Sequence, residues 1–205
     1  MDKHLDIYFV RHGETLFNRL GRIQGFCDSP LTDKGKNQAK MLARGLKDIS
    51  FNHVITSSSE RAVDTAKIIT NNREDIIISK LFKEMNFGLL EGSDENISSI
   101  EGKIQELMIG YKHADGESCK ELKERISKGL EYIQAISNDK DKVLVTTHGV
   151  YIMTLLDLLV PGYMKSCITI ENPPIQNCSL THIVVDEQIR VETIGDVSYL
   201  EKGKL

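Results

Sequence analysis

Four short segments of the chain carry residue types that could act together on an anion. They are Arg11-His12-Gly13-Glu14-Thr15, Ser57-Ser58-Ser59-Glu60-Arg61, the stretch around Glu84, and Thr147-His148-Gly149. Between them they supply two arginines, two histidines and one carboxylate. Guanidinium forks match phosphate oxygens, so two arginines and a histidine suit a phosphate dianion. A neutral histidine can attack phosphorus through a ring nitrogen and hold the phosphoryl group covalently. A nearby carboxyl group can protonate the departing alkoxide, then deprotonate the water that follows. Arginines can neutralise the transferring phosphoryl group, so this chemistry requires no metal or cofactor. Taken singly, each residue is ordinary: most lone histidines are structural and most glutamates are solvated charges. Their common placement is what matters, and it depends on the elements that carry them.

The apolar run Ile7-Tyr8-Phe9-Val10 predicts a buried strand, and His53 to Thr56, Ile76 to Ile78 and Val143 to Thr146 predict three more. Thr32 is placed to cap a helix with Ala39, Leu42 and Leu46 on one face. Helices are also expected over Ser58–Thr70, Glu117–Ser137 and Val150–Val160, and a closing hairpin over Thr181–Val185 and Ile189–Thr193. Alternating strands and helices imply an α/β fold: a three-layer αβα sandwich with a mostly parallel sheet and one antiparallel edge region. Ligands bind such sheets beyond the carboxyl ends of the strands, and each chemical segment follows a strand. Residues 85–116, with five glycines and little periodicity, read as a cap-like insertion in a single domain spanning 1–205.

With those residues in view, the sequence resembles the histidine phosphatase superfamily, the phosphoglycerate mutase-like fold, on its phosphatase branch. Arg11-His12-Gly13-Glu14-Thr15 is similar to its signature. The likeness continues in Asn18, Gln24-Gly25, Asp28, Pro30-Leu31-Thr32 and Gly35, then Ser57-Ser58, Arg61-Ala62 and Thr65-Ala66. Glu84, Phe87-Gly88, Glu91-Gly92, Gly116-Glu117-Ser118, Thr147-His148-Gly149 and the tail Asp196 to Leu200 complete it. The resemblance implies that His12 is the phosphorylated nucleophile and Glu84 the general acid and then base. It implies phosphoryl binding by Arg11, Arg61 and His148, with Asn18 and Gln24 as neutral donors. Gly149 would offer a backbone N–H at a helix start, and Gly13 would let backbone approach the nucleophile.

Other motifs fail on context. Cys119 and Arg125 have the Cys-x5-Arg spacing of a thiol phosphatase, but the residues between them are charged, glycine-free and helical in pattern. Asp139 to Val143 mimics an aspartyl nucleophile motif but precedes a strand instead of following one. A zinc site on His12, His148 and Glu84 would set two arginines beside a cation. His4, His53, His113 and His182 lie outside every motif.

The composition bounds the partners. The 205 residues include 26 basic and 30 acidic side chains, a net charge of −4. No nucleic-acid partner is expected from that balance. No apolar run approaches the ~18–20 residues of a membrane span. Cys27, Cys119, Cys167 and Cys178 show no paired spacing, so reduced thiols in a cytoplasmic protein are expected. The first residues read as a strand and not as a signal peptide. The partner is a small phosphorylated metabolite, and the expected activity is phosphomonoester hydrolysis. The alternative is a primed phosphoglycerate mutase using the same phosphohistidine. Between Met85 and Glu117 only Lys103, Lys112 and His113 are possible cations. That is sparse for a mutase, which must hold a carboxylated sugar acid. Arg19 and Arg22 could hold a second anionic group.

Overall fold

The computed structural model describes residues 3–95, 100–167 and 175–202. Six strands form one sheet in the order β3-β2-β4-β1-β5-β6. They are β1 (Leu5–Arg11), β2 (His53–Ser57), β3 (Ile77–Ser79), β4 (Lys142–Thr147), β5 (Leu180–Val185) and β6 (Ile189–Asp196). The first four run parallel: β1 pairs with β4, β4 with β2, and β2 with β3. The last two turn back antiparallel, β5 against β1 and β6 against β5. The fold class is therefore the expected α/β sandwich, its antiparallel edge formed by the closing hairpin.

Strand β1 explains the layering. Its side chains alternate between the two faces, and both faces are covered. Leu5, Ile7 and Phe9 join one apolar cluster with Leu122, Ile126 and Ile152. Tyr8 and Val10 join a second with Ala39, Leu42 and Ile69. The first cluster belongs to helices α5 (Cys119–Ile136) and α6 (Gly149–Leu159), the second to α2 (Asp33–Gly45) and α3 (Glu60–Ile69). A strand buried on both sides must be apolar throughout, which is why β1 and β4 read as continuous apolar runs. Thr32 caps α2 by accepting the Gly35 N–H at 3.0 Å. Ser118 and Glu121 form a reciprocal capping box at the start of α5.

Several elements differ from the sequence expectation. Helix α1 (Leu16–Leu20) is a five-residue turn with no periodicity to detect. It is held by a capping box between Thr15 and Asn18 and closed by Gly21 in the left-handed conformation. Short helices α7 (Tyr163–Ser166) and α8 (Ser198–Lys202) also escaped the pattern for want of length. The expected cap contains a regular ten-residue helix, α4 (Ile100–Ile109). Its pattern is blurred because Ile104 and Leu107 are buried while Met108 and Ile109 face solvent. Gly110 ends it at φ 92°, and a Cβ there would meet the Ser118 Cα at 2.4 Å. Residues 96–99 of the expected cap lie outside the described residues.

Candidate active site

Among the residues expected to act, the sheet brings Arg11, His12, Arg61, Glu84, His148 and Gly149 to one place. Arg11 ends β1, and the His12 N–H donates to the carbonyl of Thr147, the last residue of β4, at 3.0 Å. A cavity of about 440 Å³ opens above. Arg11, His12, Asn18, Gln24, Glu84 and Gly149 line it. Arg61 and His148 are fully buried and do not line the cavity, although both lie against His12.

The His12 ring is oriented by its own backbone. Its Nδ1 lies 2.8 Å from the Gly13 carbonyl oxygen. A carbonyl only accepts, so Nδ1 carries the proton and Nε2 keeps its lone pair. Arg61 Nε donates to that Nε2 at 3.2 Å. Burial, then the Arg61 and Arg11 guanidiniums, hold His12 well below the ordinary imidazole pKa. The ring is thus neutral, which nucleophilic attack through Nε2 requires.

Arg61 is itself fixed from several directions. Its Nη1 donates to the Cys27 carbonyl at 3.0 Å and to Asp28 Oδ1 at 2.9 Å. Its Nη2 donates to the Gly25 carbonyl at 2.8 Å. A buried guanidinium needs such partners, because an unpaired buried charge is strongly destabilising. The Gly13 backbone approaches the nucleophile as anticipated, its carbonyl 2.8 Å from His12 Nδ1, and a second constraint acts on the same residue. It is small because α2 packs onto it: a Cβ would lie 2.5 Å from the Gly35 carbonyl oxygen.

Glu84 is held by backbone. Its Oε1 accepts the Met85 and Tyr151 N–H groups, both at 2.9 Å, and its Oε2 accepts the Val150 N–H at 3.0 Å. Those donors and Arg61 favour the ionised form, but burial outweighs them and raises the carboxyl pKa. The first turn of α6 thus gives two amides, of Val150 and Tyr151, to Glu84, and Gly149 at its start lies beside Arg11, whose Nε a Cβ there would meet at 3.4 Å. Arg125, not anticipated as functional, anchors the segment before Glu84. Its guanidinium donates to the carbonyls of Leu81, Lys83 and Glu84 and pairs with Glu117 at 2.8 Å. Cys119 meanwhile opens α5 with a thiol pushed up by burial, so the Cys-x5-Arg spacing has no phosphatase geometry.

The neutral donors are set by their neighbours. Asn177 Nδ2 donates to the His12 carbonyl at 3.0 Å and to Asn18 Oδ1 at 3.1 Å, and the Thr15 N–H reaches the same oxygen. Asn18 therefore keeps its amide nitrogen for the cavity. Nothing in sequence pattern singles out Asn177. Gln24 lines the cavity, yet its amide is tied to Thr15 Oγ1 at 2.7 Å and Ser29 Oγ at 3.0 Å. Among the described residues six buried side-chain polar atoms have no partner, and two of them, Arg11 Nε and His148 Nδ1, lie in this cluster. Both belong to the expected phosphoryl-binding set, and a buried polar atom without a protein partner is open to a ligand. Among the described residues, no group of three or more His, Cys, Asp or Glu side chains is disposed to hold a metal ion.

The cap completes the mouth. Arg22, Lys103 and His113 reach it, and so do Asp94, Glu95 and Glu106. Arg19 does not line it, and Lys112 pairs with Glu121 on the surface at 2.7 Å. Glu84 is therefore one of four acids around the cavity. Of the apolar cap residues, Leu90 and Leu107 form part of the wall, Ile104 is core, and Leu89 and Ile109 are largely exposed.

Comparison with known proteins gives the family and the fold. The description "Histidine phosphatase superfamily (branch 1)" matches residues 7–196. A protein of Escherichia coli O1:K1 called probable phosphoglycerate mutase GpmB is 33% identical, covering 98% of this chain and 97% of that protein. The crystal structure of a phosphoglycerate mutase from Bacillus anthracis superposes with a TM-score of 0.85 at 31% identity, covering 100% of this chain and 98% of that one. A phosphoserine phosphatase from Entamoeba histolytica in complex with phosphoserine superposes with a TM-score of 0.77 at 22% identity, covering 96% and 99%, which shows the shared fold alone.

Proposed function

The chain belongs to branch 1 of the histidine phosphatase superfamily, and on that footing we propose that it is a phosphatase hydrolysing a small phosphomonoester through a covalent phosphohistidine on His12. His12 Nε2 attacks phosphorus as the bond from phosphorus to the ester oxygen breaks. The Arg61 Nε–H keeps its proton and turns its hydrogen bond from Nε2 to a phosphoryl oxygen as the N–P bond forms. Arg11, His148, Asn18 and the Gly149 N–H take the remaining oxygens, with Gln24 at the rim. Protonated Glu84 gives its proton to the departing alkoxide. The resulting carboxylate then takes a proton from water, the new O–P bond forms, the N–P bond breaks, and phosphate leaves. The raised pKa of Glu84 and lowered pKa of His12 suit this division, since one group must start protonated and the other neutral.

The observation that carries hydrolysis over isomerisation is the charge at the cavity mouth. Asp94, Glu95 and Glu106 stand against Arg22, Lys103 and His113, so the mouth has no cationic excess for a second phosphate or a carboxylate. Phe87, Leu90, Leu107 and Met153 give it an apolar side. A volume of about 440 Å³ leaves room for an alcohol moiety beyond the phosphoryl group. The four cysteines are free thiols, which fits a reducing, cytoplasmic setting. A primed mutase is the second reading, favoured by the names that the Escherichia coli and Bacillus anthracis relatives carry. A phosphate-release screen over phosphorylated metabolites separates the two. It should include 3-phosphoglycerate with and without its bisphosphate primer. Interconversion of phosphoglycerates without free phosphate would remove the hydrolase assignment.

A further inference from the structure

His148 presents a tautomer problem that a residue outside the anion cradle resolves. Burial and then the neighbouring Arg61 hold its pKa well below the ordinary imidazole value, so the ring is neutral and has one N–H to give. Its Nδ1 is buried without a partner, and its ring lies 5.2 Å from that of His12, centroid to centroid. A phosphoryl oxygen beside His12 needs a donor there, not a second lone pair. Nδ1 can donate only if Nε2 does not carry the proton. Nε2 lies 2.8 Å from the hydroxyl of Ser57, the fully buried last residue of β2. The Ser57 oxygen accepts the Ser59 N–H at 3.3 Å, while the Ser59 hydroxyl lies farther off than Nε2, at 3.4 Å. The single Ser57 proton therefore has its shortest path to His148 Nε2.

We propose that Ser57 is a positioning residue: its hydroxyl, held by the Ser59 N–H, donates to His148 Nε2 and so sets Nδ1–H toward the phosphoryl group. The opposite arrangement has Nε2–H donating to Ser57 and Ser57 donating to Ser59. It would turn a lone pair on Nδ1 toward phosphate oxygens and leave the cradle one donor short. The proposal rests on His148 as a phosphoryl ligand, but it serves hydrolase and mutase equally.

The test combines tautomer and kinetics. Long-range ¹⁵N–¹H correlation spectra of the wild type, with and without inorganic phosphate, should report Nδ1–H at His148, and Ser57→Ala should shift the ring toward Nε2–H. Ser57→Ala should lower kcat/KM by about ten- to a hundredfold, the worth of one hydrogen bond to a charged group. In a His148→Ala background the same substitution should cost nothing further, because its effect passes through the ring. Nε2–H in the wild type overturns the proposal even if Ser57→Ala does not fold. So does an unchanged tautomer in Ser57→Ala, or a loss that adds fully to that of His148→Ala. If His148→Ala alone leaves turnover unchanged, the phosphoryl-binding role of His148 fails instead, and the proposal falls with it.

Discussion

Replacing Glu84 by Gln separates the acid role from the structural one. The carboxylate accepts three backbone N–H groups, two on Oε1 and one on Oε2. A glutamine can keep its oxygen on Met85 and Tyr151, but its NH₂ then faces the Val150 N–H, donor against donor. One buried amide loses its acceptor, which costs about 1–3 kcal/mol. For a chain of this size that lowers Tm by roughly 2–12 °C, readable by thermal unfolding. Catalytically, the variant has no proton for the leaving alkoxide. General acid catalysis contributes about 10²–10⁴-fold, or roughly 3–5 kcal/mol, for an alkyl phosphate. A nitrophenyl phosphate leaves as a stabilised anion and needs little of that help. Single-turnover phosphoenzyme formation with both esters should therefore show a large loss for the alkyl ester and a small one for the nitrophenyl ester. The pH profile should change as well. In the wild type, activity falls at alkaline pH as Glu84 ionises above its raised pKa, and falls at acid pH as His12 protonates at its lowered one. Glu84→Gln should lose the alkaline limb of the phosphorylation step and keep the acid limb. Equal losses for the two esters, with the alkaline limb intact, would refute the assignment.

Other perturbations address the rest of the site. His12→Ala should abolish turnover, and acid quenching of the wild type with labelled substrate should trap an acid-labile, base-stable phosphoenzyme absent from the variant. Asp28→Ala leaves the buried Arg61 guanidinium without its carboxylate partner. Because Asp28 is partly exposed, the expected loss is about 1–3 kcal/mol in denaturant unfolding, with weakened phosphate binding by calorimetry. Gly13→Ala drives a Cβ into the Gly35 carbonyl and should destabilise the fold by about 1–3 kcal/mol, whereas Gly149→Ala meets only ordinary contacts with Arg11 and should unfold like the wild type. Prolonged treatment with a strong chelator should leave the hydrolysis rate unchanged; a loss restored by added metal would demand a different phosphoryl activator.

Much of this was legible in the sequence because it is local. Strand β1 is a run of apolar residues followed at once by Arg11 and His12, and β4 is followed by His148 and Gly149. A strand and the loop after it are contiguous in the chain, so hydrophobic pattern alone set the reactive residues on one rim. The cap at Thr32 was legible for the same reason. The tertiary structure decided what those residues are chemically. His12 has Nε2 available because its neighbour's carbonyl takes Nδ1, and it is neutral because burial and two arginines from separate elements act on it. Glu84 has a raised carboxyl pKa because burial outweighs the three backbone N–H groups and Arg61 that favour its ionised form. Asn177, 165 residues from His12, and Arg125, 41 residues from Glu84, fix atoms that they do not neighbour in sequence. The mouth's carboxylates come from the cap, whose helix buries too little of its surface to show a clean period. Residue types and their order along the chain are sequence properties. Tautomer, protonation and the balance of charge in a cavity depend on distance and burial, which exist only once the chain has folded.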